Sequence, residues 1–176
     1  TTEVFDGAGR VAVGEIVQVA KSEVQVRIVS EDRTAAFSTA IHLVPALIKG
    51  EAFEWLLEKA VELGAASVQP VITERCVIHL DAGQMEKKLA KWRRHIIESA
   101  KQCHTPFVPH LDAPKSFASL VPTLEAEWKL IPALSEHSRT LKQVLPAPKP
   151  ASVCVLIGPE GDFTPEEELL AQQHGF

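Results

Sequence analysis

Residues 153–170, V-C-V-L-I-G-P-E-G-D-F-T-P-E-E-E-L-L, hold the residue types most able to do chemistry. An apolar run meets Gly158-Pro159-Glu160-Gly161-Asp162, and Thr164-Pro165-Glu166-Glu167 then opens a helix. Thr164 is the expected N-cap, Pro165 suits the first helical position, and Glu167 closes a capping box. Gly158 and Gly161 are expected to let the backbone turn sharply and approach a ligand closely. In open α/β sheets, ligands bind at this carboxyl end of a strand. Phosphate is the usual occupant of a glycine-containing loop before a helix, but it does not suit this one. There is no Gly-Lys-Ser/Thr and no G-x-G-x-x-G, and Glu160 and Asp162 would repel a polyanion. Their carboxylates suit ribose hydroxyls, an amine or a cationic sulfonium. On the residues alone, a tight turn before a well-capped helix remains the alternative.

The elements around this loop follow from hydrophobic period. Residues 11–19 and 23–29 alternate apolar and polar, which predicts an antiparallel hairpin after a turn at Asp6-Gly7-Ala8-Gly9. Two strands are marginal alone, so the hairpin is expected to belong to a larger sheet or barrel. From Thr39 the pattern changes. Residues 41–48 form a nearly continuous apolar run, as in a strand covered on both faces. A helix follows with Phe53, Leu56, Leu57, Ala60 and Leu63 on one face and Gly64 as its C-cap. Residues 67–73 read as a short strand that Pro70 ends or makes irregular. Residues 83–104 read as a second helix, with Met85, Leu89, Trp92, Ile96 and Cys103 at helical spacing. Residues 127–134 are an expected strand, 138–145 a short helix and 146–150 a rigid link. Trp55 and Trp92 are expected in the core. Alternating strands and helices predict an α/β domain with a mostly parallel sheet. Such a unit calls for another strand after the last helix, and the chain is expected to continue.

Composition bounds the possible functions. The 176 residues are 45% hydrophobic and 23% charged, enough for a real core in an ordinary domain. No apolar run is long enough to cross a bilayer, and the N-terminal residues carry no targeting pattern. Cys76, Cys103 and Cys154 are odd in number and lie far apart, which favours a reducing compartment over disulfides or zinc. Seven scattered histidines form no metal constellation. The net charge of −5 does not favour a nucleic-acid partner, although a local basic face can override it.

I-G-P-E-G-D-F-T-P-E-E closely resembles the I-G-P-E-G-G-F-x-x-E-E signature of the RsmE family of SPOUT-superfamily methyltransferases. Three further blocks are similar to that family's, in order: residues 47–64, V-Q-P-V-I-T-E-R-C at 68–76, and K-W-R-R-H-I-I-E-S-A-K-Q-C at 91–103. F-D-G-A-G-R and the strands after it look like part of the family's PUA-like barrel. The resemblance implies a partial PUA-like β domain over 1–38 and a SPOUT-type trefoil-knot domain over 39–176. The family's closing L-G-x-R-I-L-R-x-E-T-A block, which threads the knot, would lie beyond Phe176. Asp162 replaces a glycine of the signature, and Thr105 stands where an arginine is usual.

What the resemblance implies chemically is methylation of N3 of a uridine in small-subunit (16S) ribosomal RNA, with S-adenosylmethionine as cofactor and no metal. Gly158, Pro159, Glu160, Gly161 and Leu134 are the implied cofactor contacts. Lys49, Lys59, Arg75, Lys91 and Arg94 are the candidate RNA contacts, and Arg75 is the candidate catalytic residue, stabilising charge on the base. The expected partners are ribosomal RNA or the assembled small subunit and a second copy in a homodimer, in the cytoplasm. The rival reading is a non-catalytic RNA-binding protein on the same scaffold.

Overall fold

The computed structural model describes residues 1–77, 81–133, 138–144 and 148–176. Strands β1 (Thr2–Phe5), β2 (Arg10–Val19) and β3 (Val24–Arg33) form an antiparallel sheet in that order. The expected hairpin is β2–β3. β1 was not legible, because four residues before a turn give too short a period to count. Asp6 makes the turn: its Oδ1 accepts from the amides of Ala8 at 2.7 Å and Arg10 at 3.1 Å. Those bonds hold its carboxyl below the usual carboxylate range. Ile16, Val17, Val19, Val24, Ile28 and Val29 are all exposed, so apolar side chains remain uncovered on this sheet.

The elements that follow are β4 (Ala40–Pro45), α1 (Glu51–Glu62), β5 (Ser67–Val68), β6 (Val71–Ile72), α2 (Ala82–Gln102), β7 (His110–Leu111) and β8 (Lys115–Ser116). Then come α3 (Phe117–Leu120), a 3-10 turn, β9 (Trp128–Leu130), α4 (Leu141–Val144), β10 (Ser152–Ile157) and α5 (Pro165–Gln173). Five strands make a parallel sheet in the order β7-β5-β4-β10-β9, as the alternating pattern predicts. One core cluster includes Phe53, Leu57, Trp92 and Ile96, from α1 and α2. The other joins Val44, Cys154 and Leu156 of the sheet to Phe117, Leu120, Phe163 and Ala171. In β4, Leu43 packs toward the first cluster and Val44 belongs to the second, which is why that stretch reads as continuously apolar.

Helix α1 buries Phe53, Leu57, Ala60 and Val61. Leu63 does not join them: it is the C-cap and is 79% exposed. Gly64 follows at φ +74°, its amide donating to the Val61 carbonyl, so it ends the helix as expected. Trp55 is 63% exposed, against the core position expected for it. It lies on the outer face of α1, with the Lys59 ammonium 5.9 Å from its ring centroid. α2 starts at an Asp81–Gln84 capping box and buries Leu89, Trp92, Ile96 and Ala100.

Pro70 splits the expected strand 67–73 into β5 and β6, and β6 pairs with β8 in a short second tier. The buried Gln69 spans the break, its Nε2 donating to the Ala113 carbonyl at 2.7 Å and the Pro70 carbonyl at 3.2 Å. The Leu47 amide donates to the Val71 carbonyl at 2.9 Å, tying this tier to the chain leaving β4. The second tier therefore delivers the turn at residues 73–76 to the carboxyl end of the sheet. β9 and α4 are shorter than the strand and helix expected there. β7, β8 and α3 are too short for periodicity to reveal.

Candidate active site

The loop after β10 is closed by backbone and capped by side chains. The Asp162 amide donates to the Pro159 carbonyl at 2.9 Å, which closes a turn over residues 159–162. Thr164 caps α5: Glu167 N donates to Thr164 Oγ1 at 3.2 Å, and Thr164 N donates to Glu167 Oε2 at 3.0 Å. The expected capping box is thus present in full. Phe163 is buried against Phe117, with ring centroids 5.4 Å apart, and anchors the loop in the second core.

Gly161 lies inside the closed turn as expected, but neither glycine takes the left-handed conformation. The left-handed residue is Asp162, at φ +61°. Asp is among the few residues that tolerate this region, and its Oδ1 also accepts from Phe163 N at 2.9 Å. A glycine at this point of the family signature makes physical sense for the same reason. Asp162→Val is expected to lower stability by about 1–2 kcal/mol, because a β-branched residue is strained there. Asp162→Gly should cost less, and urea unfolding of the two variants checks the order. Gly158 is needed for space instead. A Cβ there would lie 3.0 Å from Asp162 Oδ1 and 3.3 Å from the Phe163 ring.

The 73–76 turn grips this loop from the side. Arg75 Nη1 donates to the carbonyls of Gly161 and Phe163, the latter at 3.1 Å. From the same turn, Glu74 N donates to Glu167 Oε1 at 2.9 Å. One buried carboxylate therefore holds its own helix cap with one oxygen and the neighbouring turn with the other. Glu167 was legible only as a capping residue; its second contact crosses too much sequence to be read. The amides of Glu160 and Gly161 meet no acceptor among the described residues, and both residues are exposed. They leave two backbone donors beside a carboxylate.

The remaining candidates lie on separate elements. Lys49 is exposed between β4 and α1, and Arg94 is exposed on α2; neither has a partner among the described residues. Lys59, a candidate RNA contact, is already paired in this structure. It is held by Glu58 at 2.9 Å and Glu62 at 2.8 Å, bonds that raise its pKa. Lys91 pairs with Glu54 at 2.6 Å. Arg75 faces the loop carbonyls. Leu134 lies outside the described residues. No three His, Cys, Asp or Glu among the described residues could hold a metal ion together, and no described helix is long and apolar enough to cross a membrane.

The profile of the family described as "RNA methyltransferase domain" matches residues 35–176. The chain belongs to that family. As a member of the RNA methyltransferase domain family, it is similar to the ribosomal RNA small subunit methyltransferase E of Bacillus subtilis, at 28% identity over 92% of this chain and 66% of that protein. The protein of the same name from Synechocystis is 31% identical over 98% of this chain and 56% of its own length. The chain thus spans less than two thirds of these curated relatives. Among solved structures, a Legionella pneumophila methyltransferase in complex with its cofactor SAM superposes with a TM-score of 0.89 at 35% identity, over 99% of this chain and 71% of that one. The ribosomal RNA small subunit methyltransferase E of Neisseria gonorrhoeae, bound to S-adenosyl methionine, gives 0.86 at 28% identity, with the same two shares. The resemblance read from the four sequence blocks agrees with these relatives.

Proposed function

We propose that the protein containing this chain methylates N3 of a uridine in small-subunit ribosomal RNA, with S-adenosylmethionine as methyl donor. The observation that carries this reading is the braced 158–164 loop, which presents the free amides of Glu160 and Gly161 next to the Glu160 carboxylate. That donor set suits a cofactor with ribose hydroxyls, a heterocycle edge and a positive sulfonium, and disfavours a polyphosphate. Gly158, Pro159, Glu160 and Gly161 would hold it, with Leu134 as a further contact by resemblance. When bound, the cofactor supplies an electrophilic methyl group.

The rest is required of the protein and the RNA. N3 lies on the pairing edge, so the base must be unpaired or extruded to reach it. It also carries a proton at neutral pH that a base must remove, while a nearby cation eases the charge developing on O2 and O4. Lys49 and Arg94 are the basic candidates that are exposed and have no partner among the described residues, as phosphate contact requires. By the same resemblance we extend the reading to a trefoil knot, a homodimer and a cytoplasmic setting. A PUA-like barrel over the N-terminal strands is supported by their uncovered valines and isoleucines.

Titration calorimetry with S-adenosylmethionine on the full-length protein, followed by transfer of labelled methyl to small-subunit RNA, tests this reading. A one-site isotherm and label in the RNA are expected. Binding without transfer would favour the non-catalytic scaffold. Absence of heat at millimolar cofactor would remove the reading altogether.

A further inference from the structure

We infer that Arg75 is a positioning residue: it holds the 158–164 loop in its ligand-ready shape and meets neither the RNA nor the reacting base. The inference rests on the reading of this loop as the cofactor site. Three observations carry it. The guanidinium donates from Nη1 to two loop carbonyls, Gly161 and Phe163, so that nitrogen is committed to the loop although the residue itself is exposed. Its stem lies against the loop as well, since a Cβ on Gly161 would sit 3.3 Å from Arg75 Cδ. A second bond from the same turn reinforces the contact, because Glu167, from the helix that follows the loop, accepts from the backbone of Glu74.

The consequence for the free amides is direct. A peptide group is planar, so holding the Gly161 carbonyl fixes the orientation of the Gly161–Asp162 unit. The Asp162 amide is committed to the Pro159 carbonyl, and the turn between them is closed. With both ends of the turn fixed, the donors of Glu160 and Gly161 are set before any ligand arrives. A preformed loop binds more tightly because the cost of ordering it has been met in folding. Lysine cannot replace this arginine fully, since its flexible, strongly hydrated ammonium lacks the planar guanidinium that aims Nη1 at both carbonyls.

The test compares the full-length protein with Arg75→Met and Arg75→Lys. Arg75→Met should weaken S-adenosylmethionine binding roughly tenfold to a hundredfold, as expected for losing charge-assisted bonds. Arg75→Lys should recover part of that loss, and RNA affinity should stay within about twofold of the parent in both variants. Hydrogen exchange without ligand should quicken at residues 159–163 in Arg75→Met. Unchanged cofactor affinity with slow exchange in Arg75→Met would overturn the assignment. So would lost RNA affinity with cofactor binding intact, which would make Arg75 an RNA contact. If the parent itself binds no cofactor, the proposed function fails, and the exchange rates alone then decide whether Arg75 holds the loop.

Discussion

Gly158→Val abolishes cofactor binding, lowering affinity by about a hundredfold or more, while the circular dichroism of the fold stays intact. The reason is room, not backbone freedom, since Gly158 does not occupy the left-handed region. The first added carbon meets Asp162 Oδ1 at 3.0 Å, the Phe163 ring at 3.3 Å and the Asp162 backbone at 3.4 Å. The two methyls of valine extend further, and Phe163 cannot retreat because it is packed into the second core. The loop must therefore move outward, and the Glu160 and Gly161 amides move with it. A hundredfold loss corresponds to about 2.7 kcal/mol. Calorimetry reads it directly; retained affinity would mean that the loop is only a turn. Gly158→Ala, with one carbon, should fall between parent and valine variant.

Phe53→Ala is expected to destabilise the fold by about 3–5 kcal/mol, a large share of a typical domain's stability of about 5–15 kcal/mol. Phe53 is fully buried on α1, and its ring lies 4.6 Å from that of Trp92 on α2. Truncation leaves a cavity at the centre of the layer that α1 and α2 form over the sheet. The urea midpoint should fall while the slope of the transition stays the same. A change below about 1 kcal/mol would show that the two helices do not share a core as described.

Long periodic elements and local chemistry were legible in the sequence. The hairpin, both long helices, the parallel sheet and the capping box at Thr164 all follow from spacing, and the structure has them. Contacts across the fold were not legible. Arg75 sits in a family-like block, so a role in the site could be expected, but the direction of its guanidinium depends on a loop 86 residues away. The Lys59–Glu62 pair follows from helical i, i+3 spacing, whereas the second partner, Glu58, is adjacent in sequence and gives no helical signal. Trp55 read as core because aromatic residues on an amphipathic helix usually are; here its face has no described element packed over it. The left-handed turn at Asp162 was hidden by the two glycines before it, Gly158 and Gly161, which draw attention as the flexible positions.

The strand order has a kinetic meaning. β4 lies at the middle of the sheet and pairs on one side with β5, its near neighbour in sequence. On the other side it pairs with β10, nearly the whole α/β unit away, with Ala40 opposite Ser152. Closing so long a loop is slow, and it is rewarded only when the strand docks. β4, β5 and β7 with α1 and α2 can therefore assemble first, around the Phe53–Trp92 cluster. β10 arrives afterwards and brings with it the loop that ends in Asp162 and Phe163. On this order the site takes shape late, together with β9, which pairs only with β10, and a slow refolding phase is expected to coincide with the recovery of ligand binding.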